Sequence, residues 1–137
     1  MRILALDHGT RRVGVAVSDE LKMIATPLEY IAPEPFTDFI TRLNQILIEK
    51  EVGLILIGLP RNMDGSYGPA AQKVQEFVAR LQAEVTVPIK LLDERLTTVQ
   101  AQRSLLQANV RRDQRKEKVD KTAAAILLQS YLDSLIR

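Results

Sequence analysis

The chain has no cysteine and a single histidine, His8. The first absence excludes disulfides, iron–sulfur clusters and thiolate zinc sites. The second excludes a histidine-rich metal site. A metal bound here must be held mainly by oxygen, which suits Mg²⁺ or Mn²⁺. Aromatic residues make up 4% of the chain, too few for a platform that stacks the bases of a single strand. No apolar run approaches the roughly 18 residues that a membrane helix needs. The first strand reaches an acid by residue 7, which leaves no room for an apolar targeting core. These absences predict a cytoplasmic protein with no membrane partner. Charge of one sign is also missing: the net charge is +2, so only the local distribution of charge can argue for a polyanionic partner.

What is present fits one domain over residues 1–137, with 46% hydrophobic and 26% charged residues. Residues 2–7 (RILALD) and 13–18 (VGVAVS) read as strands joined by the short loop HGTRR. Residues 23–31 (MIATPLEYI) read as a third strand, with Pro27 favouring an edge. Phe36, Phe39, Ile40, Leu43, Ile46 and Leu47 recur at helical spacing and predict a helix over 34–51. Residues 52–58 (VGLILIG) form a continuous apolar run, as expected of a strand covered on both faces. Pro69 suits the first position of a second helix, which carries Ala71, Val74, Phe77, Val78 and Leu81. Residues 88–93 (PIKLLD) are a further strand. Thr97 with Gln100 forms a capping box for a helix over about 97–108. A last helix, begun at Asp120, carries Ala124, Leu127, Leu128, Tyr131, Leu132 and Leu135. The order βββ-α-β-α-β-α-α predicts an α/β fold: a mixed five-stranded sheet, with helices on its faces and parallel neighbours made by the helical crossovers.

Asp7 ends an apolar strand, where an ionised carboxylate costs several kcal/mol unless something compensates it. In a sheet with crossovers, sites form at the C-terminal ends of strands. Asp93 and Glu94 follow the last strand at the equivalent end. Asp120 heads the apolar stripe of the final helix, one helical face with residues 124, 127, 128 and 131. Acids from three distant segments can therefore converge on one edge of the sheet. Clustered carboxylates repel, and a divalent cation removes the repulsion. Oxygen ligands with open positions are what a two-metal phosphodiester site uses. Each acid also has a plainer use: Asp7 as a turn cap, Asp120 as a helix N-cap, Glu94 as a surface partner of Arg95. His8 reads as a loop residue rather than a ligand.

At these residues the sequence resembles the YqgF (RuvX) family, of Holliday junction resolvase or pre-rRNA nuclease type. The matching stretches are LALDHGTRRVGVAVSD at 4–19, IGLPRNMDGSYGPAA at 57–71, DERLTT at 93–98 and KVDKTAAAILLQSYL at 118–132. They stand in the family's order and span almost the whole chain. The resemblance implies an RNase H-like fold of the RuvC type and a divalent-metal nuclease. It also implies that Asp7, Glu94 and Asp120 are the catalytic, metal-binding acids, with Asp93 as the alternative to Glu94. The implied substrate is precursor 16S rRNA, trimmed at its 5′ end during ribosome biogenesis, or a four-way DNA junction.

The run RRDQRKEKVDK (111–121) sets Arg111, Arg112, Arg115, Lys116, Lys118 and Lys121 against three acids. It reads as a phosphate-binding loop beside Asp120, or as a solvated connection between helices. Arg11 and Arg12 lie one loop from Asp7 and either contact phosphate or cap the hairpin. Arg61, Asn62 and Ser66 lie in a glycine-bearing loop that either approaches a nucleic-acid backbone or simply turns. Contacts of this kind position a backbone without reading its sequence. Two further readings stand beside the nuclease. One is a non-catalytic module that uses the basic loop on RNA, the ribosome or a partner protein. The other is a phosphate-binding ATPase, because DHGTRRVGVAVSD is also similar to the first phosphate loop of the actin-like superfamily. Junction cleavage would favour a symmetric homodimer; rRNA trimming is open to a monomer.

Overall fold

The computed structural model of the chain describes residues 1–96 and 122–136. The helix expected over about 97–108, the basic run 111–121 and Asp120 lie outside the described residues.

The expected sheet is present. Strands β1 (Arg2–His8), β2 (Val13–Ser18), β3 (Ala25–Ile31), β4 (Val52–Leu59) and β5 (Ile89–Asp93) lie in the order β3-β2-β1-β4-β5. β1 pairs antiparallel with β2 and parallel with β4; β2–β3 is antiparallel and β4–β5 parallel. Pro27 lies on the edge strand β3, beside a bulge between Val15 and Ala16 of β2. Placement at an edge or a bulge is where a residue without an N–H costs least.

Alternation along the strands divides the core. Leu4, Leu6, Val13, Val15, Ile55 and Ile57 pack with helices α1 (Phe36–Glu49) and α2 (Pro69–Gln82) through Phe39, Leu43, Ile46, Val74, Phe77 and Leu81. Ile3, Ala5, Ala16 and Leu56 point the other way and pack with helix α3 (Ala123–Ser134) through Ala124, Ala125, Leu127, Leu128 and Leu132. A sheet covered on both faces needs apolar side chains on both, which is why β1 and β4 read as unbroken hydrophobic runs. Ser18 is a buried polar residue in this core, and its hydroxyl accepts the Ile3 N–H at 2.9 Å.

Several boundaries differ from the sequence expectation. β1 continues one residue further, because His8 still pairs with Val13; His8 is therefore a strand residue and not a loop residue. α1 is shorter than 34–51, with Pro35 as its N-cap. A 3-10 turn, Glu94–Leu96, follows β5 directly. The final helix starts at Ala123 rather than at residue 120. Thr122 takes the cap, its Oγ1 accepting the Ala125 N–H at 3.2 Å. Among the described residues no helix is long and apolar enough to cross a membrane.

Candidate active site

Asp7 occupies the penultimate position of β1, half-buried. It follows Ile3 and Ala5 at intervals of two, so its side chain lies on the α3 face of the sheet. Its partner on β2 is Gly14. On the other side Leu6 pairs with Ile57, so one step further along the ladder Asp7 comes beside Gly58. Glycines on both neighbouring strands put no side chain of their own beside the carboxylate, and groups from other elements take that room.

Glu94 fills part of that space. A β-carbon placed on Gly58 would lie 2.7 Å from Glu94 Oε1 and 3.2 Å from its Cγ. The side chain thus lies across the backbone of β4, toward the strand that carries Asp7. Glu94 is only 3% exposed, and Leu127 of α3 closes the same spot, its Cδ2 lying 3.1 Å from where that β-carbon would stand. The chain brings together two of its sequence-expected acids, Asp7 and Glu94, at the C-terminal edge of the sheet. Among the described residues no group of three His, Asp or Glu is placed to hold a metal; Asp120, the third expected acid, lies outside them.

Asp93 has a different environment. Leu92 packs into the α3 cluster, so the neighbouring Asp93 side chain leaves the strand toward the opposite face. There Arg95 Nη2 donates to its Oδ2 at 2.9 Å, the Arg95 backbone N–H to its Oδ1 at 2.9 Å, and Arg61 Nη1 to Oδ2 at 3.3 Å. The side-chain hydrogen bond from Arg95, with that residue's backbone N–H and charge and the charge of Arg61, holds this carboxyl below the usual aspartate value although burial opposes it. Two guanidinium groups already compensate Asp93. The acid that turns toward Asp7 is Glu94.

Arg61 and Asn62 build the loop between β4 and α2. Arg61 Nε donates to the Gly65 carbonyl at 3.0 Å, its Nη2 reaches the same oxygen, and its guanidinium lies over Tyr67 at 4.4 Å. The Asn62 carbonyl accepts the Gly65 N–H at 2.9 Å and its Nδ2 donates to Ser66 Oγ at 3.0 Å. Gly65 sits at φ +90°, a conformation open chiefly to glycine. Arg61 is thus turned inward to the loop and to Asp93. Arg11 and Arg12 stand exposed on the β1–β2 turn, closed by the Gly9 N–H donating to the Arg12 carbonyl at 3.0 Å.

His8 points to the face opposite Asp7. Its ring packs on Phe77 at 4.6 Å and lines a cleft with Thr10, Lys73 and Glu76. Burial holds the imidazole below its usual pKa; the charge of Asp7 opposes this and that of Lys73 adds to it. His8 thus faces the side of the sheet away from the Asp7 carboxylate.

Sequence reading did not single out Gly14 and Gly58. The available signal was a glycine inside each of two apolar strands, where it weakens the strand and often marks a close approach by another group.

The chain matches the family model RuvX, described as Holliday junction resolvase, over residues 1–134. The chain belongs to the RuvX family. Among relatives of the same length, a protein of Thermoanaerobacter pseudethanolicus is 49% identical over 135 residues, 98% of this chain and 97% of that protein. One from Geobacillus sp. (strain WCH70) is 47% identical over 136 residues, 98% of this chain and 99% of that one. Both bear the name "Putative pre-16S rRNA nuclease". These RuvX names bear out the expected class, a nuclease that hydrolyses phosphodiester bonds. Among solved structures, Thermus thermophilus RuvC in complex with a Holliday junction substrate superposes with a TM-score of 0.55 at 16% identity, covering 99% of this chain and 96% of that one. That likeness bears out the RNase H-like, RuvC-type fold.

Proposed function

We propose that this RuvX protein is a divalent-metal-dependent nuclease that trims the 5′ end of precursor 16S rRNA. The observation that carries the proposal is the convergence of Asp7 and Glu94 over Gly58. Asp7, half-buried on β1, and Glu94, buried in the turn that follows β5, stand at the same end of the sheet, and a hard cation offsets the mutual repulsion of such carboxylates. Their donor set, carboxylate oxygen alone, fits Mg²⁺ or Mn²⁺. In this reading Asp7, Glu94 and Asp120 hold the metal. When bound, the metal polarises the phosphoryl group and lowers the pKa of water.

The other residues bind and orient. Asp93 holds Arg61 and Arg95 together and so fixes the 61–68 loop against the end of β5, with Asn62 shaping the turn. Arg11, Arg12, Arg111, Arg112, Arg115 and Lys116 take backbone phosphates, which positions the strand without reading its sequence. Leu127 of α3 packs against the same spot over Gly58 as Glu94 and so helps to orient that side chain.

The relatives' names favour precursor rRNA as substrate. The family's description favours a second reading, cleavage of a four-way DNA junction by a homodimer. One experiment tests both: Mn²⁺-dependent cleavage of a precursor 16S rRNA 5′ fragment and of a four-way junction, wild type beside Asp120→Asn. Metal-dependent cutting of the RNA that disappears in the variant is the expected result. Preferential cutting of the junction selects the second reading. If neither is cut and no metal binds, the nuclease reading fails and a non-catalytic RNA- or ribosome-binding module replaces it.

A further inference from the structure

Across the active-site end of the sheet the registers run Tyr30, Gly14, Asp7, each directly opposite the next. Opposed residues of antiparallel strands put their side chains on the same face. Tyr30 and Asp7 therefore share the α3 face with only a glycine between them. The Tyr30 ring leans over that glycine: a β-carbon on Gly14 would lie 3.3 Å from its Cε1 and 3.7 Å from its Cδ1. On this ring lies the Arg12 guanidinium, Cζ 4.1 Å from the centroid.

The arginines near the site differ in what they can offer. Arg61 and Arg95 share Asp93, which cancels part of their charge. No carboxylate pairs with Arg12 among the described residues. An exposed arginine ordinarily loses rotamer freedom when it binds. Stacking on Tyr30 removes much of that freedom beforehand and leaves the fork of N–H donors free for a phosphate. β3 lies two strand spacings from β1, about 10 Å, which a nucleic-acid strand crossing Asp7 spans within one or two nucleotides.

We propose that Arg12, braced on Tyr30, is a phosphate-binding subsite for a non-scissile phosphodiester of the substrate strand, on the side of Asp7 away from Glu94. The proposal rests on the nuclease reading above. It makes Tyr30 a positioning residue and separates Arg12 from Arg11, which has no such brace among the described residues.

The test uses the whole chain and whichever of the two substrates the wild type cleaves in Mn²⁺, with binding read in Ca²⁺. Single methylphosphonates, each removing one backbone charge, are placed along the strand. One position is expected to weaken wild-type binding and to have no further effect in Arg12→Gln. Tyr30→Leu is expected to lower affinity about two- to fivefold, and Tyr30→Phe, which keeps the ring, to restore most of that loss. The unfolding midpoint of Tyr30→Leu is read alongside, because that change also removes packing over Gly14. If Tyr30→Leu does not fold, the exposed change Arg12→Gln carries the test alone. Methylphosphonate penalties that multiply unchanged with Arg12→Gln at every position overturn the subsite while leaving the nuclease intact. Failure of Tyr30→Phe to rescue a folded Tyr30→Leu overturns the brace. A wild type that neither binds nor cleaves either substrate overturns the nuclease reading and the subsite with it.

Discussion

Replacing Gly58 by alanine puts a methyl group where Glu94 now lies. The added carbon would stand 2.7 Å from Glu94 Oε1, 3.2 Å from Glu94 Cγ and 3.1 Å from Leu127 Cδ2. Carbon atoms are at ease at about 3.5–4.0 Å, so all three contacts are too close and something must move. The β4 backbone is held on both sides by β1 and β5, which leaves the two side chains to give way. Leu127 is 1% exposed and packed between α3 and the sheet; moving it costs about 1–3 kcal/mol, as usual for an extra methyl in a filled core. Moving Glu94 instead takes one carboxylate away from Asp7. Both routes lead to one pair of readouts, urea unfolding in EDTA and Mn²⁺ titration. We expect Gly58→Ala to lose about 1–3 kcal/mol of stability and to bind Mn²⁺ more weakly. Adding Glu94→Asp, shorter by one methylene, should recover part of the stability, a coupling expected of residues in contact. A Gly58→Ala protein with wild-type stability and wild-type Mn²⁺ affinity would refute the placement of Glu94 over β4.

Asp93→Asn should leave Mn²⁺ binding nearly intact but loosen the 61–68 loop, read as faster proteolysis there and about 1–3 kcal/mol lower stability. The same carboxyl sets a pH dependence. Its pKa is lowered in the folded state, so its contribution is complete above the ordinary aspartate pKa and is lost as pH falls through the depressed folded value. Urea unfolding of wild type and Asp93→Asn should converge at acid pH. Ser18→Ala leaves the buried Ile3 N–H without its acceptor and should cost about 1–3 kcal/mol by urea unfolding. Thr122→Ala removes the cap of α3 and should cost about 1 kcal/mol in the same measurement.

The sheet is legible in the sequence because its strands carry the pattern that two-sided burial demands. RILALD and VGLILIG are apolar at odd and even positions alike, and each half of the pattern meets a different helix layer. Pro27 marks its own edge. The helix ends are less legible. The Asp120 start fails because Thr122 supplies the capping oxygen nearer the apolar stripe, and a stripe does not say which polar residue before it will cap. His8 reads as loop because the following Gly9 resembles a turn, whereas the ladder with β2 carries one pair further. The convergence of Asp7 and Glu94 can be anticipated from strand ends. That Glu94 and not Asp93 lies over Gly58 cannot, since it depends on Leu92 facing α3 and on Arg61 and Arg95 meeting around Asp93. Gly14 and Gly58 matter through what lies over them, and sequence alone does not name those neighbours.

The most direct test of the central claim, that Asp7 and Glu94 together hold a divalent metal, is Mn²⁺ titration of wild type, Asp7→Asn and Glu94→Gln, with unfolding in EDTA read on the same samples. The account predicts that wild type binds Mn²⁺ and that each variant, still folded in EDTA, loses most of that affinity. Undiminished Mn²⁺ binding in both variants would contradict it.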